Sequence, residues 1–246
     1  GSIKGAFFDR GSEEKVDLME YLLFAVSFLI ATMTKPSFTI VLAGAAGLIM
    51  LYRFLRNLVP EKAHKACRGN RKQNFLSALA LGVCFIPTFI DLLYQYQGVF
   101  VPTGAEEGGI GFEPGGVWGK YCGNIPAAIC LACGFPLLVL VFNFRDVAKN
   151  VVSRFSWQIY GMSFFMAYVL YEKGFRKWDF NFAWGYEYGI FFCFVGALMI
   201  LIQKTTQRQK SKKEYAALVI QWLAFAAHFV CGLLYFAKIL RGEMYY

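Results

Sequence analysis

The sequence predicts an all-α protein, a polytopic transmembrane helical bundle of about seven helices with its N-terminus inside the cell and its C-terminus outside. Of its 246 residues, 57% are hydrophobic, whereas soluble domains typically contain about 45–50% apolar residues. The apolar residues form long blocks, and several reach the roughly 20 residues that a helix needs to cross a bilayer. Most of the 25 lysines and arginines fall in short segments between these blocks, which is typical of cytoplasmic loops.

The first two apolar blocks predict a helical hairpin. Residues 1–17 are polar and are interpreted as a cytoplasmic segment, and residues 18–246 form one transmembrane domain. The first block covers 18–34 and ends at Lys35-Pro36-Ser37, a helix-breaking turn; the second covers 38–57. Because the first block is short and its exit is tight, it could instead lie in the interface or re-enter, which would leave six spans.

The middle of the chain alternates basic and acidic connections. Residues 53–72 carry many basic side chains and are predicted to lie inside. A third helix covers 75–97, and the glycine-rich, acidic segment 98–124 is predicted as an outer loop. The remaining helices are predicted at 125–143, 155–171, 187–203 and 215–238, with a second outer loop at 172–187. A break is expected in the fourth of the seven helices, at Gly134-Phe135-Pro136, since proline cannot donate to the helical ladder.

Polar residues in or beside membrane helices are costly, so they are candidates for function. The candidate catalytic residues are Asp91, Glu172 and His228, because carboxylates and imidazole can act as acids or bases. Asp91 shares one helix face with the candidate ligand-binding residues Tyr94 and Gln95 through their i, i+3, i+4 spacing. The other candidate ligand-binding residues are Arg176, Trp178, Asn181, Trp184, Glu187, Tyr235 and Lys238. Together they predict an outward-facing polar and aromatic site.

Each of these residues also has a structural interpretation. Tryptophan and tyrosine are enriched at membrane interfaces whatever the function, and the charges after 172 could be solvated loop residues. Asp91 could be a helix-end residue paired with Lys238 or Arg176. His228 lies in a seven-residue stripe with Gln221 and Tyr235, and it could make an interhelical hydrogen bond.

No metal site or cofactor is predicted. Cys130 and Cys133 form a C-x-x-C pair, but they lie inside an apolar block without a second pair, which favours small-residue packing over a redox or metal site. Nucleic-acid binding is excluded as an interpretation of the +9 net charge, because the basic residues form short membrane loops rather than a soluble basic surface.

Three functions fit this multi-pass cell-membrane protein. The first is cell-envelope chemistry on a glycan or lipid-linked substrate, and the second is a small-solute transporter or channel. The third is a non-catalytic receptor or a subunit of a membrane complex. The expected partners are membrane lipids, a lipid-linked or saccharide ligand, and a membrane protein. Whether the protein is an enzyme stays open.

Overall fold

The computed structural model describes residues 17–58, 71–99, 108–207 and 211–243. The described chain is mostly helical, which confirms the all-α prediction. The predicted segment 1–17, except Asp17, and most of the basic segment 53–72 lie outside the described residues. Contacts divide the chain into two units, one of Gly1–Tyr121 with Gln158–Gly189 and one of Cys122–Trp157 with Ile190–Tyr246.

The first unit begins with three helices, which are α1 (Leu18–Thr34), α2 (Pro36–Leu58) and α3 (Arg71–Val99). Lys35 alone separates α1 from α2, and Pro36 opens α2, where its missing N–H costs nothing. The hydroxyl of Thr39 lies 2.6 Å from that of Thr32, which contacts the Phe28 carbonyl at 2.7 Å. These bonds satisfy two fully buried threonines and tie the helices together at their turn.

A small sheet and a short helix complete the first unit. Strands β1 (Ile110–Phe112) and β2 (Leu170–Glu172) pair antiparallel, with Gly111 opposite Tyr171. Helix α4 (Gly116–Tyr121) follows β1. Residues 98–124 and 172–187, predicted as loops, therefore contain regular structure: a strand and a helix in the first, and in the second the last residue of β2, a 3₁₀ helix (Gly174–Asp179) and the start of α9 (Ala183–Thr206).

The second unit contains the predicted helix break. Its helices α5 (Ile125–Ala132) and α6 (Gly134–Phe142) meet at Cys133 with a bend of 73°. They are followed by α7 (Phe144–Lys149) and α10 (Lys212–Leu240). Helices α8 (Val151–Val169) and α9 each contribute to both units. Phe135, Val139 and Leu201 are fully buried and belong to the apolar core of this unit.

Three helical stretches of the described chain are long and apolar enough to cross a membrane, namely Ala78–Gly98, Gly174–Thr206 and Lys212–Leu240. The bent pair of α5 and α6 makes a fourth if it counts as one span. Helix α1 and the apolar part of α2, Pro36–Tyr52, are shorter than a span. Candidate membrane helices are thus present, whereas the count of seven and the orientation stay predictions.

Helices α8 and α9 approach closely at Gly189, and this contact is testable. A Cβ atom there would lie 2.1 Å from the Ser163 hydroxyl and 3.0 Å from the Tyr160 Cα. We expect Gly189→Val to lower the free energy of unfolding by about 2 kcal/mol or more, because overpacking displaces a backbone. The measurement is the thermal midpoint of the detergent-solubilised protein.

Gly232→Ala is the matched control, since a Cβ at Gly232 meets nothing within 4 Å. It should leave the midpoint unchanged or raise it, because alanine favours helix by about 1 kcal/mol over glycine. A Gly189→Val protein as stable as wild type would contradict the close approach of α8 and α9.

Candidate functional site

The predicted site residues after β2 are positioned by a tight turn. The 3₁₀ helix Gly174–Asp179 is capped by Phe180, which has left-handed backbone angles (φ 53°, ψ 38°). Such a conformation is unfavourable for a non-glycine residue. The Phe180 ring stacks on Tyr121, with centroids 5.9 Å apart, and meets the edge of Trp118 at 5.7 Å. These ring contacts hold the turn, and the turn places Asn181 next to Glu172.

Glu172 is the centre of a polar network. Its Oε2 atom accepts a hydrogen bond from Asn181 Nδ2 at 2.9 Å and pairs with Arg176 Nε, also at 2.9 Å. Arg176 Nε lies 3.6 Å from Asp179 as well. The Glu172 side chain is only 11% exposed, and Arg176 and Asn181 provide it with polar partners in place of water.

Beside this network, an exposed indole lies close to two ammonium groups. The Trp178 ring is 4.4 Å from Lys120 Nζ and 4.9 Å from Lys177 Nζ, measured to its centroid. Lys177 also pairs with Glu113 Oε2 at 2.5 Å. The Tyr121 hydroxyl donates a hydrogen bond to the Trp178 carbonyl. We call this surface the Trp178 site; its residues are Glu113, Lys120, Tyr121, Glu172, Arg176, Lys177, Trp178, Asp179 and Asn181.

An aromatic layer supports the Trp178 site. Trp118 is buried, and its ring contacts Tyr186 at 5.2 Å and Phe164 at 5.6 Å, both nearly edge-on. Backbone hydrogen bonds from Glu113 to Val169 and from Gly115 to Tyr168, at 2.9 and 2.7 Å, tie the support to the end of α8. The exposed groups therefore stand on a packed and hydrogen-bonded base.

Sequence reasoning missed several residues of this surface. Glu113, Lys120 and Tyr121 come from the segment predicted as an outer loop, and the pairing of β1 with β2 and the ring contacts of Phe180 bring them to Trp178. Lys177 lay within the predicted loop but was not selected. The available signal was Trp118-Gly119-Lys120-Tyr121, aromatic residues next to a lysine in an otherwise glycine-rich stretch.

Trp184 is placed differently from the prediction, because it lies in α9 rather than in a loop, and Glu187, predicted at the boundary between the loop and the helix, also lies in α9. The Trp184 ring faces Lys35 Nζ at 3.8 Å, which joins the start of α9 to the turn between α1 and α2. Trp184 thus makes its cation–π contact with its own chain. It is 44% exposed, similar to Trp178 at 41%.

The structure places Asp91 and Gln95 together, as their spacing suggests. Gln95 Nε2 donates to Asp91 Oδ2 at 2.8 Å and to the Thr32 carbonyl at 3.3 Å. These bonds connect α3 to the end of α1. Tyr94, one residue before Gln95 in the helix, is 78% exposed. Arg176, considered as a partner for Asp91, pairs instead with Glu172 and Asp179.

In the second unit, His228 bridges α10 to the helix break. Its Nε2 atom lies 2.8 Å from the Leu131 carbonyl and its Nδ1 atom 3.1 Å from the Ala224 carbonyl. Leu131 is in the last turn of α5, where carbonyls have no partner within the helix. This geometry favours the interhelical hydrogen bond over catalysis. Tyr235 and Lys238, further along α10, are exposed.

Comparisons of the chain with protein families, with curated proteins and with solved structures gave no match. The chemistry of the site is therefore assigned from its own residues. Within the described ranges, no group of three or more His, Cys, Asp or Glu side chains could hold a metal ion. The Trp178 site offers cations, carboxylates, an amide and an exposed indole.

The ion pairs of Arg176 with Glu172 and with Asp179 should contribute differently to stability, which can be tested. We expect Arg176→Ala to lower the free energy of unfolding by about 1–2 kcal/mol, because the poorly exposed Glu172 carboxylate loses a charged hydrogen-bond donor. Asp179→Ala should cost less than about 0.5 kcal/mol, since that pair is longer and solvent-exposed. Thermal midpoints of the two purified variants, compared with wild type, measure the difference, and equal effects would contradict the central place of Glu172.

Proposed function

We propose that this protein is a membrane protein that binds a lipid-linked saccharide carrying a phosphate, and that it does so at the Trp178 site on the outer face of the cell membrane. The observation that carries the proposal is the exposed Trp178 indole close to Lys120 and Lys177, with the Glu172–Arg176 pair in the same surface. Such a ligand has an apolar sugar face, hydroxyl groups and a phosphate that attracts cations, and the surface offers a partner for each of them.

Each part of the surface suits one part of such a ligand. A sugar ring can lie with its C–H face on an exposed indole, and ligand sites combine such apolar contacts with a few polar groups. Carboxylates such as Glu113 and Asp179 accept hydrogen bonds from sugar hydroxyls. Phosphate oxygens are attracted by lysine and by the terminal amino groups of Arg176, which form strong charge-assisted hydrogen bonds.

The position of the site in the chain supports a lipid anchor. The site immediately precedes α9, and the stretch Gly174–Thr206 is long and apolar enough to cross a membrane. A sugar phosphate held there would lie at the end of a candidate span, where its lipid chain enters the bilayer. Trp178 and Tyr121 are also residue types that favour this interface.

Binding is proposed rather than catalysis by Glu172. A general acid must hold a proton to donate, and a general base must be near its substrate proton. The contacts of Glu172 with Arg176 and Asn181 occupy its Oε2 atom and place no substrate proton beside it. We therefore assign Glu172 to positioning Arg176. The chemistry on the saccharide would then belong to a membrane protein partner.

The polar stripe of Gln221, His228 and Tyr235 on α10 supports a transport function less strongly than the Trp178 site supports ligand binding. Gln221 accepts a hydrogen bond from Asn143 and donates to Ala217, and His228 contacts the Leu131 carbonyl. Two of the three stripe residues are thus engaged in hydrogen bonds within the second unit. We keep a small-solute transporter or channel as the second candidate function, with the bend between α5 and α6 as the observation that favours it.

The binding proposal predicts a selective loss in Trp178→Ala. The purified full-length protein is incubated with a synthetic polyprenyl-phosphate-linked N-acetylglucosamine, and bound ligand is quantified by native mass spectrometry. We expect the apparent affinity to fall about tenfold, since an aromatic contact contributes about 1 kcal/mol beyond its buried area. Trp178→Phe should keep part of the affinity.

Trp184→Ala is the matched control, because Trp184 has similar exposure and also contacts a lysine but does not belong to the Trp178 site. It should bind the glycolipid as wild type does. Equal losses in both tryptophan variants, or equal binding of polyprenyl phosphate without sugar, would overturn the saccharide proposal.

The proposed orientation, seven spans with the C-terminus outside, predicts opposite signals from two reporters. A full-length fusion to alkaline phosphatase in a bacterial host should be active, and one to green fluorescent protein should be dark, because only the phosphatase matures outside. Fusions placed after Gln207 should give the reverse result, since positive residues cluster there. A fluorescent full-length fusion would contradict the outward C-terminus.

A further inference from the structure

Three side-chain oxygens on one face of α3 have no partner within the described part of the chain. They belong to Thr88, Asp91 and Gln95, which lie on the same helix face through their i, i+3, i+7 spacing. Gln95 Nε2 donates to Asp91 Oδ2 at 2.8 Å, so Asp91 Oδ1 and Gln95 Oε1 stay outside this bond. All three residues fall within Ala78–Gly98, a stretch long and apolar enough to cross a membrane.

The Thr88 hydroxyl differs from those of the other threonines that the structure describes. Each of the others has a hydrogen-bond partner, which for most of them is a carbonyl one helical turn earlier, an arrangement common for threonine in a helix. Thr88 is fully buried, and its Oγ1 atom has no partner in the described ranges. A buried hydroxyl without a partner is costly, so this oxygen is available to a ligand.

A backbone carbonyl lies beside the same residues. Thr32 is in the last turn of α1, and the residue four positions later is Pro36, which has no N–H to donate. The Thr32 carbonyl therefore lacks its helical partner. It lies 3.3 Å from Gln95 Nε2, which is long for a hydrogen bond, and its oxygen can accept a further contact. The group thus offers a carboxylate, a hydroxyl, an amide and a backbone oxygen.

The charge of this group indicates a monovalent cation. Asp91 forms no ion pair with any residue that the structure describes, although an ionised side chain within a membrane span is costly when it is unpaired. Carboxylate, hydroxyl and carbonyl oxygens are the ligands of hard cations. Because one carboxylate neutralises one positive charge, a divalent ion would leave a charge uncompensated in the bilayer. A proton would neutralise Asp91, but it could not contact the hydroxyl and the amide oxygen at once.

We propose that Thr88, Asp91 and Gln95 bind a sodium ion together with the Thr32 carbonyl. Na⁺ fits better than K⁺ because it is smaller and needs fewer oxygens, and most of the oxygens here come from a single helix. Carbonyls without a helical partner coordinate Na⁺ in membrane transporters. The inference goes beyond the saccharide function, since it uses no residue of the Trp178 site. Sodium binding would serve the second candidate function, a transporter, by coupling solute movement to a sodium gradient.

The test uses the purified full-length protein in detergent and choline chloride, to which NaCl is added at constant ionic strength. Bound radioactive sodium should saturate at a single ion per chain. The thermal midpoint should rise with the sodium concentration, because a ligand that binds only the folded state stabilises it. Asp91→Asn should abolish sodium binding, since it removes the charge and keeps the shape. Thr88→Val should lower the apparent affinity about tenfold through the loss of one ligand, and Thr88→Ser should keep it.

Thr34→Val is the matched control, because the exposed Thr34 hydroxyl donates to the Ile30 carbonyl. It should bind sodium as wild type does. In choline chloride alone, Thr88→Val should be at least as stable as wild type, because it removes an unpaired buried hydroxyl; this separates loss of the ion from loss of the fold.

Three results would overturn the sodium site. The first is equal sodium affinity in wild type and Thr88→Val, and the second is equal stabilisation by K⁺ and Na⁺. The third is a thermal midpoint that responds to pH but not to Na⁺ and that loses this response in Asp91→Asn, which would favour a proton instead.

Discussion

The backbone pairing of β1 with β2 is the interaction on which the candidate site depends. It joins a stretch far earlier in the chain to the end of α8, with Ile110 opposite Glu172. Together with the contacts of Phe180 to Trp118 and Tyr121, it fixes the position of the residues around Trp118 relative to those after β2. A two-stranded ribbon is marginally stable alone, so the buried aromatic layer around Trp118 and the Lys177–Glu113 ion pair have to stabilise it. The sheet, the layer and the exposed surface therefore stabilise one another.

In the second unit, the dominant constraint is that backbone and amide groups must find partners away from water. A helix that bends by 73° at Cys133 loses part of its hydrogen-bond ladder, and in lipid each unsatisfied group costs several kcal/mol. His228 of α10 lies within hydrogen-bond distance of one such carbonyl, that of Leu131. Asn143, which follows α6, donates a hydrogen bond to Gln221 of α10. Polar side chains of α10 thus stabilise the irregular backbone between α5 and α7. This role explains why these polar residues occur in an otherwise apolar helix.

The helices could be predicted from the sequence because local patterns determine them. Apolar block length placed α1 at 18–34, and Gly134-Phe135-Pro136 identified the break, since both effects act within a few residues. The spacing of Asp91 and Gln95 correctly placed them together. The sheet could not be predicted: three-residue strands have almost no local signal, and their pairing spans about sixty residues. Lys120 and Glu113 were missed for this reason. Trp184 was placed in a loop because α9 begins at Ala183, before the predicted helix start at 187.

Charge pairing at the Trp178 site determines what can give affinity there. Lys177 is already bound to the carboxylate of Glu113. A ligand phosphate must compete with that partner, so it exchanges one ion pair for another and gains little net energy. Affinity must then come mainly from apolar contact with the indole. The charges act chiefly by excluding ligands that leave a carboxylate or an ammonium unpaired, which is a source of specificity rather than of binding energy.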